Sequence, residues 1–230
     1  DPGAADERWE LIVYLTRSKF TSSETRLFRD ATQYEEDLHS FLDGFLRKQW
    51  EKGDLTMRVR HVSGSTGEEI YTGAIFIYEA LRRLHRSLLE EGRDIGNRFE
   101  DWAAGWTIDV DSYDINPFNM LALRNGIEKD RSFTQLGQFL QASRSGLFPR
   151  TTDRFLAHYF DERADVQGQR LVLKDEIARL FRINFQYVDL ADERQLSKLA
   201  QQRYDLTFSL FTLVYLPAAS WPTIFDALAQ

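Results

Sequence analysis

Cysteine is missing altogether, and with it go a disulfide framework, a zinc–cysteine site and a thiol nucleophile. Histidine is scarce. The four present (His39, His61, His85 and His158) show no close pairing, which argues against a histidine-based metal site, so no metal is expected. No apolar run is long enough to span a bilayer, and the chain shows no signal peptide. Positive charge is in deficit. A formal net charge of −7 removes the basic surface that non-specific nucleic-acid binding requires. These absences leave a cytoplasmic domain with no membrane insertion and no nucleic-acid partner as the expectation. The chain opens on Asp rather than Met, so it reads as part of a longer polypeptide.

What is present is enough to bury a large core: 43% of the 230 residues are apolar and 13% aromatic. Apolar spacing predicts helices over 9–17, 25–50, 68–89, 132–143, 151–160, 196–202 and 221–229, with short helices over 118–124 and 176–181. Runs rich in β-formers predict strands over 55–62, 106–113, 171–173 and 183–188. The nearly continuous apolar run 206–216 has the character of a strand buried on both faces. Strands alternating with helices predict a doubly wound, parallel α/β sheet, and the short elements between 151 and 185 read as a small inserted β-subdomain.

The stretch 62–71, Val-Ser-Gly-Ser-Thr-Gly-Glu-Glu-Ile-Tyr, joins the first strand to a helix. Glycines at 64 and 67 allow a ligand to approach the backbone closely. Glu68 and Glu69 follow in the first helical turn, where the helix dipole favours carboxylates but a pyrophosphate would be repelled by both. No Gly-Lys-Ser/Thr follows, so the pattern is not a phosphate-binding P-loop. A ligand carrying an ammonium and a sulfonium suits this turn, and S-adenosylmethionine has both. Asp114 closes the next strand, where doubly wound nucleoside binders place an acid for the ribose hydroxyls. Read alone, Gly64–Glu69 is a helix start with capping glutamates and Asp114 a cap before Pro117. Read together, they describe one pocket.

At these residues the chain resembles the chemotaxis receptor glutamate methyltransferases, the CheR type, from about residue 9 to 227. The family's Thr-x-Phe-Phe-Arg-Asp is matched by Thr25-Arg-Leu-Phe-Arg29-Asp30, and its Ser-Thr-Gly-Glu-Glu block by Ser65-Thr66-Gly67-Glu68-Glu69. Its Asp-Ile-Asp/Asn…Gly-Ile pattern is matched by Asp114-Ile-Asn…Gly126-Ile127, and its Asn-Leu-Leu by Asp189-Leu190-Ala191. Its last strand motif corresponds to the run from Tyr204-Asp205 to Tyr215, and its inserted subdomain is echoed by 155–160 and 171–185.

The resemblance implies a Rossmann-like S-adenosylmethionine-dependent methyltransferase fold. Residues 1–24 would be the linker end of an N-terminal helical domain, 25–230 the methyltransferase domain, and 151–185 the inserted antiparallel subdomain. It also implies roles. Arg29 and Tyr215 would stand beside the methyl transfer path. Thr25, Gly64, Thr66 and Gly67 would line the cofactor, Glu68 would pair with its ammonium, and Asp114 would accept its ribose hydroxyls. Asp189 would take the adenine amino group, and Leu190 would pack on the ring. Glu69 and Tyr71 read as structural. The activity implied is protein-glutamate O-methylation in chemotaxis-like signalling, on the helical cytoplasmic region of a chemoreceptor or a similar protein, with S-adenosylhomocysteine as co-product.

The sequence departs from the family in three places. Leu210-Phe211 replaces an Arg-Asn pair that lines the family's cofactor pocket. The family's basic N-terminal domain has no counterpart, and neither do its final strands, so a partner chain or further segment would cover the sheet edge. These departures define the alternative, a non-catalytic relative that binds the cofactor, its product or a protein partner.

Overall fold

The computed structural model describes residues 26–62, 66–115, 126–129, 133–165, 168–190, 192–209 and 218–228. In chain order the elements are α1 (Ala31–Lys52), β1 (Thr56–Val62), α2 (Glu68–Glu90), α3 (Phe99–Ala103), β2 (Thr107–Asp114) and β3 (Ile127–Glu128). There follow α4 (Thr134–Ala142), α5 (Thr152–Tyr159), β4 (Phe160–Asp165), β5 (Gly168–Leu173), α6 (Asp175–Ala178) and β6 (Phe181–Tyr187). The last are α7 (Glu193–Leu199), β7 (Leu206–Phe208) and α8 (Trp221–Leu228).

The chain is α/β. Four parallel strands form one sheet in the order β6-β2-β1-β7, and a separate antiparallel sheet has the order β3-β5-β4. The parallel sheet grows outward from β1 to β2 to β6 and then returns to the other side of β1 with β7. The carboxyl ends of β1 and β7 therefore lie where the order reverses, the place where such sheets hold ligands.

Strand alternation divides the side chains of β1 between two faces. Met57 and Val59 join the larger core under α1 and α2, and His61 stacks on Phe208 at 4.5 Å with its ring against Gly73 of α2. Burial in this apolar surround pushes the His61 imidazole down to about 3, so it packs as a neutral ring. Val62 faces the other way, into a smaller cluster with Tyr113, Val188, Leu196, Leu199 and Ile224 beneath α7 and α8.

Arg60 shares that second face and is 1% exposed. Its guanidinium donates to the Leu199 and Leu228 carbonyls near the C-terminal ends of α7 and α8, and to Thr207 Oγ1 at 3.2 Å. It also lies 4.5 Å from the centre of the Tyr204 ring. The Tyr204 hydroxyl donates to Asp111 Oδ2 at 2.7 Å and accepts from the Tyr113 hydroxyl at 2.6 Å. A polar network thus fills what is normally the apolar back of a parallel sheet.

The helix expected from residue 25 begins at Ala31. Phe28 (φ 57°) and Asp30 (φ 51°) are left-handed, a conformation a right-handed helix cannot contain. The strand expected over 171–173 starts at Gly168, and its partner β4 was not expected, since Asp161-Glu-Arg163 is charged and carries little strand propensity. Residues 183–185, grouped in sequence with the insertion, belong to β6 and pair in parallel with β2. The strand expected over 206–216 is described only as β7, and the helices expected over 9–17 and 118–124 lie outside the described residues.

Gly126 enters β3 at φ 86°, and a Cβ built there would sit 2.6 Å from the Leu171 carbonyl oxygen. Gly126→Ala is therefore expected to lower stability by roughly 2 kcal/mol through backbone strain and displacement of β5. Chemical denaturation measures this, and a loss below a few tenths would show that β5 yields freely.

Candidate functional site

The turn leaving β1 resumes at Thr66 and reaches α2 through Gly67, whose φ of 103° disfavours any residue with a side chain. Thr66 Oγ1 donates to Glu68 Oε2 at 2.6 Å and so fixes the carboxylate's orientation. Thr72 Oγ1 donates to the Glu68 carbonyl at 2.7 Å and accepts the Phe28 N–H at 3.0 Å. That hydroxyl ties the segment carrying Arg29 to the first turn of α2.

Arg29 stands in the left-handed turn before α1, half-buried, with Nε 3.7 Å from Asp30 Oδ2. Its positive field reaches Glu69. Glu35 accepts the Ser143 hydroxyl at 2.6 Å.

Asp114 ends β2 beside Tyr187 of β6, and the Val188 N–H donates to its carbonyl at 3.1 Å. Asp189 follows at once, its N–H donating to Gln195 Oε1 at 2.9 Å. Asp192 Oδ1 accepts the Arg194 N–H at 2.9 Å and starts α7. Leu190 is buried with Val188, Leu196, Leu199 and Ile224. Ile115 and Tyr187, by contrast, are 58% and 53% exposed at this same edge. Thr66, Gly67, Glu68, Asp114, Asp189 and Leu190 thus all fall at the carboxyl edge of the parallel sheet, beside exposed apolar surface. Thr25, Gly64, Tyr215 and the Leu210-Phe211 pair lie outside the described residues.

Glu69 reads from the sequence as structural. It is buried, and its carboxyl is pushed up to about 8, first by burial and then by Glu68 and Asp114, with Arg29 opposing. Burial and Glu69 also raise the Tyr34 phenol. Tyr71, one turn on, is pushed up to about 12 by burial and by Glu68, and Arg163 pulls the other way. Tyr71 and Arg163 line a cleft walled by Val172, Leu173, Phe181 and Ile183, between the antiparallel sheet and β6. The two consecutive acids after a glycine were the only sequence signal for Glu69.

Such an edge can hold a cation. Buried carboxylates such as Glu68 and Glu69 repel phosphate, and Ile115 and Tyr187 at the same edge offer apolar area to a flat ring. Among the described residues no group of three or more His, Asp or Glu side chains could hold a metal ion, and no helix is long and apolar enough to cross a membrane. No protein-family model matches this chain, and no curated protein does.

Proposed function

We propose that the chain is an S-adenosylmethionine-dependent protein-glutamate O-methyltransferase of the chemotaxis receptor type, on a doubly wound, Rossmann-like fold, acting on chemoreceptor-like signalling proteins. The observation that supports the reading is the placing of Glu68 and Glu69 after β1 and Asp114 at the end of β2, all at the carboxyl edge of the parallel sheet, with the charges of Arg29, Glu68 and Asp114 felt at the buried Glu69. The fit is chemical. Crowded buried carboxylates favour a cationic nucleoside over a phosphorylated one.

When bound, S-adenosylmethionine supplies an activated methyl group. Glu68, oriented by Thr66, would hold the ammonium, Asp114 would accept the ribose hydroxyls, and Asp189 would take the adenine amino group. Arg29 would draw the acceptor carboxylate to the methyl. That carboxylate is already ionised at neutral pH, so no general base is required. Positioning and exclusion of water supply the rate. The cleft lined by Tyr71 and Arg163 would be the docking place for the acceptor chain.

Calorimetric titration with S-adenosylhomocysteine tests this. Binding is expected, and Asp114→Ala should weaken it by roughly 10- to 100-fold, the equivalent of about 1.5–3 kcal/mol for a charged hydrogen bond. Absence of binding at millimolar ligand, or unchanged affinity in the variant, overturns the assignment. Leu210-Phe211 favours a second reading, a non-catalytic binding module. Tight binding without methyl incorporation into a chemoreceptor fragment would support it.

A further inference from the structure

Thr72 is 3% exposed and stands one turn after Glu68 in α2. Its hydroxyl is used twice, donating to the Glu68 carbonyl at 2.7 Å and accepting the Phe28 N–H at 3.0 Å. A helical threonine bonded only to the carbonyl four residues back stabilises little. Here the same hydroxyl also reaches the turn before α1. Other backbone bonds of that turn are local: the Arg29 N–H meets the Arg26 carbonyl, the Ala31 N–H that of Phe28, and the Gln33 N–H that of Asp30. Phe28 and Asp30, on either side of Arg29, are left-handed, so the turn is held by what it touches. The Phe28 ring sets its depth against Phe76 of α2, but apolar contact has no direction. A hydrogen bond does, and the Thr72 hydroxyl fixes where along α2 the turn sits.

We propose that Thr72 is a positioning residue, whose hydroxyl sets Arg29 in register with Glu68. The N–H it accepts belongs to the residue before Arg29, and the carbonyl it bonds belongs to Glu68 itself, so one hydroxyl spans the backbones that carry both. What the register serves rests on the methyltransferase reading above: the ligand's ammonium on Glu68 and the acceptor carboxylate on Arg29 must be held at one spacing. A misplacement of about 1 Å can lower a rate by about 100-fold. Serine keeps the hydroxyl and so keeps the register. Valine has the shape of threonine but neither donates nor accepts.

The test compares Thr72→Val with Thr72→Ser in the whole chain, with urea denaturation to show that each variant is folded. By calorimetry, Thr72→Val is expected to weaken S-adenosylhomocysteine binding several-fold and Thr72→Ser to bind as wild type does. The signature of positioning is non-additivity: in an Arg29→Ala background, Thr72→Val should cost no further affinity. A merely structural threonine would weaken both backgrounds alike. Carbon-13 NMR titration of the Glu69 carboxyl reads the same displacement without ligand. Arg29 pulls that carboxyl down, so it should titrate higher in Thr72→Val, and Thr72→Val should not move it once Arg29 is replaced by alanine. The Phe28 amide of wild type, which needs no variant, should be protected from hydrogen exchange. Equal losses in the two backgrounds, an unshifted Glu69 carboxyl or an unprotected Phe28 amide overturns this inference and leaves the methyltransferase reading standing. Failure of wild type to bind the ligand overturns that reading, and the Glu69 titration then decides by itself whether Thr72 places Arg29.

Discussion

Arg60→Ala is expected to cost about 3–5 kcal/mol of folding stability, the range seen when one member of a buried charged network is removed. Three acceptors lose their donor at once: Thr207 Oγ1 and the Leu199 and Leu228 carbonyls. A buried acceptor left without a partner costs about 1–3 kcal/mol. The side chain is also among the largest fully buried ones, so its removal opens space between β1 and the two C-terminal helices. Burial lowers the guanidinium's proton affinity, but arginine remains charged, and carbonyl dipoles and the Tyr204 ring do the work of a counter-ion. Arg60→Lys is expected to fall between, because an ammonium cannot span two helix ends and stack flat on a ring. Urea denaturation reads all three chains. A loss below 1 kcal/mol for the alanine variant would mean that water replaces the guanidinium without penalty.

Arg60 also shows where sequence reasoning stops. Its strand was legible because Met57, Val59 and Val62 carry strand propensity and sit before a glycine turn. The acids at Glu68 and Asp114 were legible for a related reason: in a parallel sheet the residue closing a strand must lie at the ligand edge, so sequence position alone locates it. A buried arginine satisfied by helix-end carbonyls has no such signature, because those acceptors come from residues 199 and 228. β4 escaped notice because Asp161-Glu-Arg163 is held as a strand by pairing with β5, against its own propensity. The burial of Glu69 was not legible, because adjacent glutamates in a first helical turn ordinarily face water. In the fold it is a buried acid that feels the charge of Arg29 and in turn raises the Tyr34 phenol.

Phe28→Ala is expected to be as damaging as loss of Arg60, at about 3–5 kcal/mol. The ring is 1% exposed and lies at the centre of an aromatic cluster. It stacks on Phe139 at 4.5 Å, meets Phe155 edge-on at 5.2 Å and Phe148 at 5.6 Å, and tilts against Phe76 at 5.3 Å. These contacts join the turn before α1 to α2, α4 and α5, so a cavity here loosens four segments together. The backbone raises the stakes. Phe28 and Asp30 are the described non-glycine residues with positive φ, and Arg29 stands between them. Such conformations persist only where surrounding packing over-determines them. The Phe28 ring and the Phe28 N–H on Thr72 are the packing that does so here. Releasing the ring should let the turn relax and move Arg29 away from Glu69, so the damage extends to the site. Phe28→Leu, which keeps part of the volume, should lose less stability yet still weaken S-adenosylhomocysteine binding several-fold. If the leucine variant binds as wild type does, the strained turn holds Arg29 without help from the aromatic cluster, and the coupling between core and site is absent.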